Sequence, residues 1–215
     1  ALKSLYKYNY KNSMRDVTNM WRNFALNDES GTIICEYPQD KNKPCIPIPY
    51  CEETMTGFEY ALAGLLLSEG VIDESETLVN AIRERYDGEK RNPWNEIECG
   101  SNYARSMAAY ALLPIYSGFS FDLSKKYIGF APIVKVNATF LWSVGTSWGT
   151  IRFTKDEIIL KVEANSISLE MFGMPKGNKV VAVLVDGNHI TFLQGENKIY
   201  FVEQCIKKEL VIKLL

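Results

Sequence analysis

The chain has 215 residues, of which 47% are apolar and 12% aromatic, and its 24 basic groups nearly balance 26 acidic ones. It is long enough to bury one sizeable core or two smaller ones, and its even charge gives no reason to expect nucleic acid as a partner. No apolar run reaches the roughly 18 residues of a transmembrane helix, and the first residues lack the layout of a signal peptide. We therefore expect a soluble, cytoplasmic protein without a transmembrane segment.

The sequence lacks the common motifs for metals, nucleotides and nucleophilic triads. It has no HExxH pair, EF-hand loop, Walker loop or GxGxxG, so neither a metal nor a cofactor is predicted. The single histidine, His189, lies in a predicted hairpin and is a poor candidate for a catalytic base. An odd number of cysteines without a CxxC pair favours reduced thiols. The cysteines are Cys35, Cys45, Cys51, Cys99 and Cys205.

Apolar residues recur at helical spacing in the first half of the chain. After a first helix near residues 2–10, an irregular stretch runs from about residue 27 to 50, and a loop of that length is usually functional. Residues 56–68 are apolar on nearly every face, which predicts a helix buried on all sides. Residues 73–86 have one apolar stripe and predict a surface helix, with Arg83-Glu84-Arg85 on its solvated face. Residues 102–116 again predict a helix buried on all sides.

Helices that are alternately buried, exposed and buried are typical of an α/α toroid, in which an outer ring of helices surrounds an inner one. A closed (α/α)6 toroid has twelve helices, and this sequence predicts about four. We therefore expect residues 1–125 to form the closing arc of such a domain in a longer protein. The missing initiator Met agrees with a fragment, although removal of Met before Ala1 would leave the same first residue.

Short β-branched runs separated by turn residues fill the second half. Asp186-Gly187-Asn188 is a strong hairpin signal between two of them. The regular spacing of about ten residues predicts an antiparallel sandwich for residues 126–215, so the expected fold class is α+β. The predicted strands are 158–162, 166–172, 180–185, 189–193, 198–202 and 210–214.

Residues 92–106 place carboxylates and an arginine at the start of the third predicted helix. Arg105 is the only charged residue of that apolar helix, and burial of an unpaired guanidinium is costly. Glu96 and Glu98 are its nearest candidate partners. For Glu98, an ionic and a sugar-binding role stay equally open.

Glu52 and Glu53 stand in the same relation to the second predicted helix, so both pairs of carboxylates are expected to face one cavity. Carboxylates that accept hydrogen bonds from hydroxyls, with Trp94 or Tyr103 to stack on a sugar ring, indicate a glycoside-binding site.

A structural interpretation stays open for each candidate. Glu52 and Glu53 can simply complement the positive end of a helix dipole. Glu96 and Arg105 can form a buried ion pair that binds no ligand, and Trp94 is equally compatible with a position in the core.

Five separated motifs together resemble the C-terminal end of glycoside hydrolase family 116, the group of non-lysosomal glucosylceramidase, or bile acid β-glucosidase, and its microbial relatives. The resemblance covers roughly residues 1–150. The motifs are NFALNDESG at 23–31, PIPY followed by EE at 47–53, TGFEY at 56–60, RYDG at 85–88, and RNPWNEIECG followed by YAR at 91–105.

The resemblance implies an (α/α)6 catalytic domain that hydrolyses β-glucosides with retention, through a covalent glycosyl-enzyme intermediate. The nucleophile and the acid/base belong to earlier segments in that family, so this chain alone is expected to be inactive. By resemblance, Glu96 and Arg105 correspond to the pair that binds glucose hydroxyls far from the glycosidic oxygen, and Glu53 to a further sugar-contacting carboxylate. Met55 stands where the family often has tryptophan. The substrate-binding candidates are Glu53, Glu96, Arg105, Glu52, Glu98 and Trp94.

Two other hypotheses stay open. The chain can be a non-catalytic carbohydrate-binding or scaffolding module with Trp142 and Trp148 exposed, although both tryptophans are better explained by packing between the two halves. It can also belong to another toroid enzyme, an inverting glycosidase or a lyase. The partners expected under the first hypothesis are a glycoside substrate and the N-terminal remainder of the parent protein.

Overall fold

A computed structural model describes residues 1–17, 24–38, 42–46, 48–96, 103–133 and 137–215. The chain divides into two compact units, Ala1–Leu112 and Leu113–Leu215, which we call the helical unit and the β unit. This division falls earlier than the predicted boundary after residue 125. The content is mixed α+β, in agreement with the expected fold class.

Each predicted helical region has a counterpart in the structure. The α-helices are α1 (Leu2–Asn9), α2 (Thr56–Ser68), α3 (Ile72–Arg85) and α4 (Leu112–Ser117), and 3₁₀ segments occupy Arg105–Ala111 and Leu123–Lys125. In the described part of the chain, every helix is too short or too polar to span a lipid bilayer.

Gly70 ends α2 and directs the chain into α3. Its φ of 75° lies in the left-handed region that glycine adopts without a steric penalty. Its N–H donates to Leu67 O at 3.0 Å, and Val71 N–H donates to Leu66 O at 2.9 Å. These two bonds are those of a Schellman motif, which satisfies the last carbonyls of a helix. The short link makes α2 and α3 neighbours.

The core of the helical unit lies between α2 and α3. Leu66 and Leu67 of α2 and Leu78 and Ile82 of α3 are at most 2% exposed. The Ser75 hydroxyl of α3 donates to the carbonyl of Ala63 in α2 at 2.7 Å. The apolar stripe predicted for residues 73–86 is therefore the face that packs in the core.

The prediction that α2 is buried on all sides is wrong for this chain. Phe58 is 56% exposed and Leu65 is 54% exposed, on the face that does not contact α3. The sequence predicted burial correctly only for the half of the helix that has a partner in this chain.

The third predicted helix is also different from the prediction. It is a 3₁₀ segment followed by the short helix α4, and Met107 and Tyr110 are 64% and 66% exposed. Pro114 stands in the first turn of α4, where a missing backbone N–H is tolerated; inside a continuous helix it would remove a hydrogen bond. This proline explains why the segment does not form one long α-helix.

Within the described ranges, thirteen strands form three sheets. Tyr10–Lys11 (β1) and Gly31–Thr32 (β2) pair in the helical unit. The β unit has a six-stranded sheet in the order β10-β9-β13-β7-β6-β5 and a five-stranded sheet in the order β11-β12-β8-β4-β3. Its strands are β3 (Ser120–Asp122), β4 (Tyr127–Gly129), β5 (Ala138–Val144), β6 (Ser147–Phe153), β7 (Glu157–Ala164), β8 (Ile167–Gly173), β9 (Val180–Val185), β10 (Asn188–His189), β11 (Leu193–Gln194), β12 (Lys198–Ile206) and β13 (Glu209–Leu214).

The two larger sheets of the β unit share one apolar core, as a sandwich requires. Leu160 and Ile212 of the six-stranded sheet belong to the same buried cluster as Leu169 and Ile199 of the five-stranded sheet. Buried and exposed residues alternate along β7, because successive side chains of a strand point to opposite faces. The pairing is antiparallel as predicted, except that β4 pairs with β8 in parallel.

The predicted hairpin at Asp186-Gly187 is present, but the strand predicted at 189–193 is not. Asp186 and Gly187 have φ values of 49° and 85°, as a type I′ turn requires, and the turn joins β9 to β10. The chain then leaves the six-stranded sheet after His189 and enters the five-stranded sheet at Leu193. The apolar run is therefore a corner between the sheets.

Candidate functional site

Glu96, the first candidate residue, is fully buried. Its backbone N–H donates to Tyr103 O at 2.9 Å, which brings the two ends of the intervening segment together. Its carboxylate accepts a hydrogen bond from the Thr56 hydroxyl at 2.5 Å and another from the backbone N–H of Ser106. The starts of α2 and of the 3₁₀ segment thus hold one carboxylate between them.

A cleft of about 390 Å³ is lined by residues that include Thr56, Tyr86, Trp94 and Ser106, but not by Glu96 itself. Thr56 and Ser106 are the two residues that hydrogen-bond the Glu96 carboxylate, so this carboxylate lies next to the cleft lining. Trp94 is 60% exposed, so the interpretation of this residue as a core plug is wrong. Its ring is available for a ligand at the mouth of the cleft.

Two buried polar atoms near the cleft lack a hydrogen bond. Neither Glu96 Oε2 nor the hydroxyl of Tyr86 has a hydrogen-bond partner within the part of the chain that the structure describes. Buried polar groups are nearly always hydrogen-bonded, because an unsatisfied one costs about 1–3 kcal/mol. Glu96 Oε2 can accept a hydrogen bond and the Tyr86 hydroxyl can donate one. A ligand hydroxyl or a water molecule can supply both kinds of partner.

Glu96 lies within electrostatic range of both Arg105 and Tyr86. Burial raises the pKa of Glu96, while the Thr56 hydroxyl, the positive charge of Arg105 and the Ser106 N–H oppose this rise. Burial, followed by the nearby charge of Glu96, raises the pKa of Tyr86 to about 12. Tyr86 is therefore a hydrogen-bond donor at neutral pH.

Arg105 lies between two aromatic rings. Its Cζ is 5.0 Å from the centre of the Tyr103 ring and 5.7 Å from the centre of the Phe58 ring, and its side chain is partly buried. A guanidinium over an aromatic face is attracted by the ring quadrupole, which holds it in place. The structure brings Arg105 within electrostatic range of Glu96, as the sequence predicted. The other predicted partner, Glu98, lies outside the described residues.

Glu52 and Glu53 have surroundings of their own. Glu52 forms an ion pair with Lys43 at 2.7 Å and lines a separate cavity of about 150 Å³. Glu53 is 1% exposed, and its carbonyl accepts a hydrogen bond from Ile34 N–H at 3.1 Å. Like Glu96, neither is among the described residues that line the larger cleft, and the expectation that both pairs of carboxylates face one cavity stays a prediction.

A buried ion pair between Glu59 and Arg85 was not predicted. Both side chains are 1% exposed and in direct contact, although Arg85 had been assigned to the solvated face of α3. Arg85 also donates to Ser30 O at 2.6 Å, and Thr32 N–H donates to Glu59 at 2.8 Å. Burial raises the pKa of Glu59, while Arg85 and the Thr32 N–H oppose this rise.

Gly31 explains how β2 comes so close to this pair. A Cβ at this position would lie 2.7 Å from the Arg85 guanidinium and 3.0 Å from the Glu59 carboxylate. The rule that singled out Arg105, one charge in an apolar helix, applies equally to Glu59 and could have identified this pair.

The tryptophans of the β unit have different environments. Trp142 is 1% exposed in the sandwich core, and its indole N–H lies 3.2 Å from both Thr150 O and Lys161 O. Exposure of Trp142, which the binding-module hypothesis required, is therefore contradicted. Trp148 is 45% exposed on β6.

Comparison with protein-family models and with curated proteins gives no match for this chain. Among the described residues, no group of three or more histidine, cysteine, aspartate or glutamate side chains is arranged to hold a metal ion. The chemistry of the site must therefore be argued from its own groups: a buried carboxylate, an arginine held by aromatic rings, a tyrosine hydroxyl and an exposed indole.

Proposed function

We propose that this chain contributes the sugar-binding part of a retaining β-glucosidase of the glucosylceramidase type. In this proposal it forms the closing arc of an (α/α)6 domain in a longer cytoplasmic protein and binds the glucose hydroxyls remote from the glycosidic oxygen. The nucleophile and the acid/base belong to the remainder of that protein, and the 215-residue chain alone hydrolyses no glycoside.

The observation that carries the proposal is the buried carboxylate of Glu96 with one free oxygen. A purely structural carboxylate would be expected to have both oxygens hydrogen-bonded, because desolvation of an unpaired one is costly. Glu96 Oε2 can accept a hydrogen bond from a sugar hydroxyl, and the Tyr86 hydroxyl can donate one. Saccharides present such donor and acceptor hydroxyls on adjacent carbons.

The surroundings of Glu96 also suit a sugar. The cleft volume is within the range of about 300–1,000 Å³ that small-molecule sites usually have. Trp94 offers an exposed aromatic ring at the cleft, and the charge of Arg105 favours the ionised form of the carboxylate. Hydrogen bonds to a charged group are stronger than neutral ones, so this arrangement favours hydroxyl recognition.

The exposed apolar face of α2 supports the larger toroid. Phe58, Ala61 and Leu65 follow the i, i+3, i+7 spacing of one helix face, and all three are exposed. An inner helix of a closed α/α ring would bury this face against neighbouring helices. In this proposal those neighbours belong to the N-terminal remainder of the parent protein.

The decisive test is Arg105→Met in the protein of the complete reading frame, assayed with an aryl β-glucoside. We expect kcat/KM to fall on the order of a hundredfold or more, because contacts to sugar hydroxyls strengthen in the transition state. Arg15→Met is the matched control, since Arg15 is exposed and forms an ion pair with the exposed Asp28. Unchanged kcat/KM with a lower melting temperature would make the Glu96–Arg105 interaction structural.

The exposed indole of Trp148 favours one alternative, a carbohydrate-binding module. Calorimetry of the 215-residue chain with glucose and methyl β-glucoside separates the two functions. Binding that is lost in Trp148→Ala and retained in Glu96→Gln would support the module. An inverting toroid enzyme is distinguished by the anomeric configuration of the first product of the complete protein.

A further inference from the structure

Cys35 and Cys51 lie side by side on two neighbouring segments of the helical unit. Cys35 N–H donates to Cys51 O at 2.9 Å, and Ile34 N–H donates to Glu53 O at 3.1 Å, so the segments run in opposite directions. A backbone N lies about 1.5 Å and a carbonyl O about 2.4 Å from the Cα of its own residue, so the Cys35–Cys51 hydrogen bond keeps the two Cα atoms within roughly 6.8 Å of each other. A disulfide needs a Cα–Cα distance of about 4.4–6.8 Å.

The two thiols are free and only partly buried, so a small disulfide can reach them. The ammonium of Lys43 lies near Cys51. Burial and the neighbouring Cys35 raise the pKa of Cys51, while the positive charge of Lys43 opposes this rise. The other described cysteines, Cys45 and Cys205, are exposed, and this difference makes them internal controls.

We propose that Cys35 and Cys51 are a reversible redox pair, a modification site that closes a disulfide next to Glu52 and Glu53. With glutathione disulfide as the oxidant, the thiolate of Cys35 attacks one glutathione sulfur, the S–S bond breaks, and one glutathione thiolate leaves and is protonated. The thiolate of Cys51 then attacks the Cys35 sulfur of the mixed disulfide and expels the second glutathione. Two protein thiols are oxidised and one glutathione disulfide is reduced to two thiols.

The disulfide links two segments that are already adjacent in the folded chain. It also closes the loop that contains Lys43, the ionic partner of Glu52. Closing a loop of this length reduces the conformational entropy of the unfolded chain, and the folded chain becomes more stable. Oxidation is therefore expected to raise the melting temperature of the helical unit by on the order of 5 °C.

The test uses the folded 215-residue chain incubated with glutathione disulfide, followed by alkylation of the remaining thiols, digestion with trypsin and chymotrypsin without reductant, and mass spectrometry. Trypsin cleaves after Lys41 and chymotrypsin after Tyr50, which places Cys35, Cys45 and Cys51 in separate peptides, so Cys35 and Cys51 are found together only if a disulfide joins them. We expect the Cys35–Cys51 linked peptides to predominate. Separate glutathione adducts on the two residues, or linkage of either to Cys45, would overturn the proposal.

Two variants sharpen the result. Cys51→Ser should stop the reaction at a glutathione adduct on Cys35, and Cys45→Ser should leave the 35–51 link unchanged. An equal rise of the melting temperature in oxidised Cys51→Ser would contradict the proposed cross-link. If Cys51→Ser does not fold, the peptide map of the wild-type chain still decides.

Discussion

The two units differ in where they place charge. Among the described residues, every fully buried charged side chain belongs to the helical unit, and these residues are Glu53, Glu59, Arg85 and Glu96. The β unit buries an apolar cluster shared by its two sheets and keeps its ion pairs at the surface. Buried charges cost desolvation energy that an apolar core avoids, so the helical unit carries a cost of burial that the β unit does not.

Arg85→Met should have the largest effect on stability, because it removes one of the buried charges that distinguish the helical unit. It leaves the fully buried carboxylate of Glu59 without its cation, and loss of one partner of a buried ion pair typically costs about 3–5 kcal/mol. We expect a decrease of this size in the free energy of unfolding, measured by urea denaturation followed by far-UV circular dichroism. The double variant Glu59→Gln/Arg85→Met should regain part of the loss, because no buried charge then remains unpaired.

Arg83→Met is the matched control for stability, since Arg83 is two residues away on the same helix and is exposed. Its effect should stay within about 0.5 kcal/mol. Equal effects of the two substitutions would mean that the Glu59–Arg85 pair contributes nothing specific to the helical unit.

One leucine substitution in each unit tests the other part of this comparison, the apolar core that the two sheets of the β unit share. Leu160→Ala removes a fully buried side chain from the sandwich core and should cost about 2–5 kcal/mol. Leu65→Ala removes a half-exposed side chain from α2 and should cost little in this chain. The measurement is the free energy of unfolding of both variants.

The same leucine has a different expected effect in the complete protein. If other helices cover α2 there, Leu65→Ala should approach the cost of a core substitution. A small effect in both proteins would contradict the burial of this face and with it the toroid.

Elements with a periodic apolar pattern were predicted well from the sequence. Contacts between side chains that are distant in sequence were predicted poorly. The bounds of α2 and β9 follow the apolar pattern directly, and Asp186-Gly187 forms the predicted turn. The side chain of Arg85 could not be placed in this way, because its neighbours Arg83 and Glu84 suggested a solvated face. Its burial depends on Glu59 and on the close approach of the β2 backbone, which are distant in sequence.

The candidate site, like the fold, was predicted only in part from the sequence. Burial of Glu96 and its attraction to Arg105 follow from the cost of an unpaired charge in an apolar helix. The role of Tyr86 was missed, because its place in the apolar stripe of α3 explains the ring and says nothing about the hydroxyl. The positions of Glu52 and Glu53 relative to the cleft depend on a long irregular loop without a periodic pattern.

The raised pKa of Glu96 predicts a pH-dependent effect of Glu96→Gln. A carboxyl whose folded-state pKa is above the unfolded value stabilises the fold fully below the unfolded pKa, and this contribution is lost as the pH rises through the folded pKa. The wild-type chain should therefore lose stability relative to Glu96→Gln as the pH increases from about 4 towards 8. Melting temperatures across this range provide the measurement.

Glu76 is an exposed carboxylate of α3. Glu76→Gln is the control, because it measures the effect of removing one surface charge from the same unit. A wild-type chain that gains stability relative to Glu96→Gln as the pH rises would contradict the assigned environment of Glu96. It would indicate an ionised carboxylate that its partners stabilise, as in a structural ion pair.

Tyr86→Phe should have the smallest effect on stability and still separate a binding role from a structural one. The hydroxyl is buried without a partner, so its removal should leave the free energy of unfolding of the chain unchanged or higher by about 1 kcal/mol. In the complete protein the same change should lower kcat/KM by roughly three- to tenfold, the value of one neutral hydrogen bond to a sugar hydroxyl. Tyr60→Phe, in the wall of the same cleft, is the matched control. A stability loss above about 1 kcal/mol in Tyr86→Phe would mean that the hydroxyl already has a partner in the free chain. Among the described residues of the cleft lining, no buried hydroxyl without a partner would then remain to donate to a ligand.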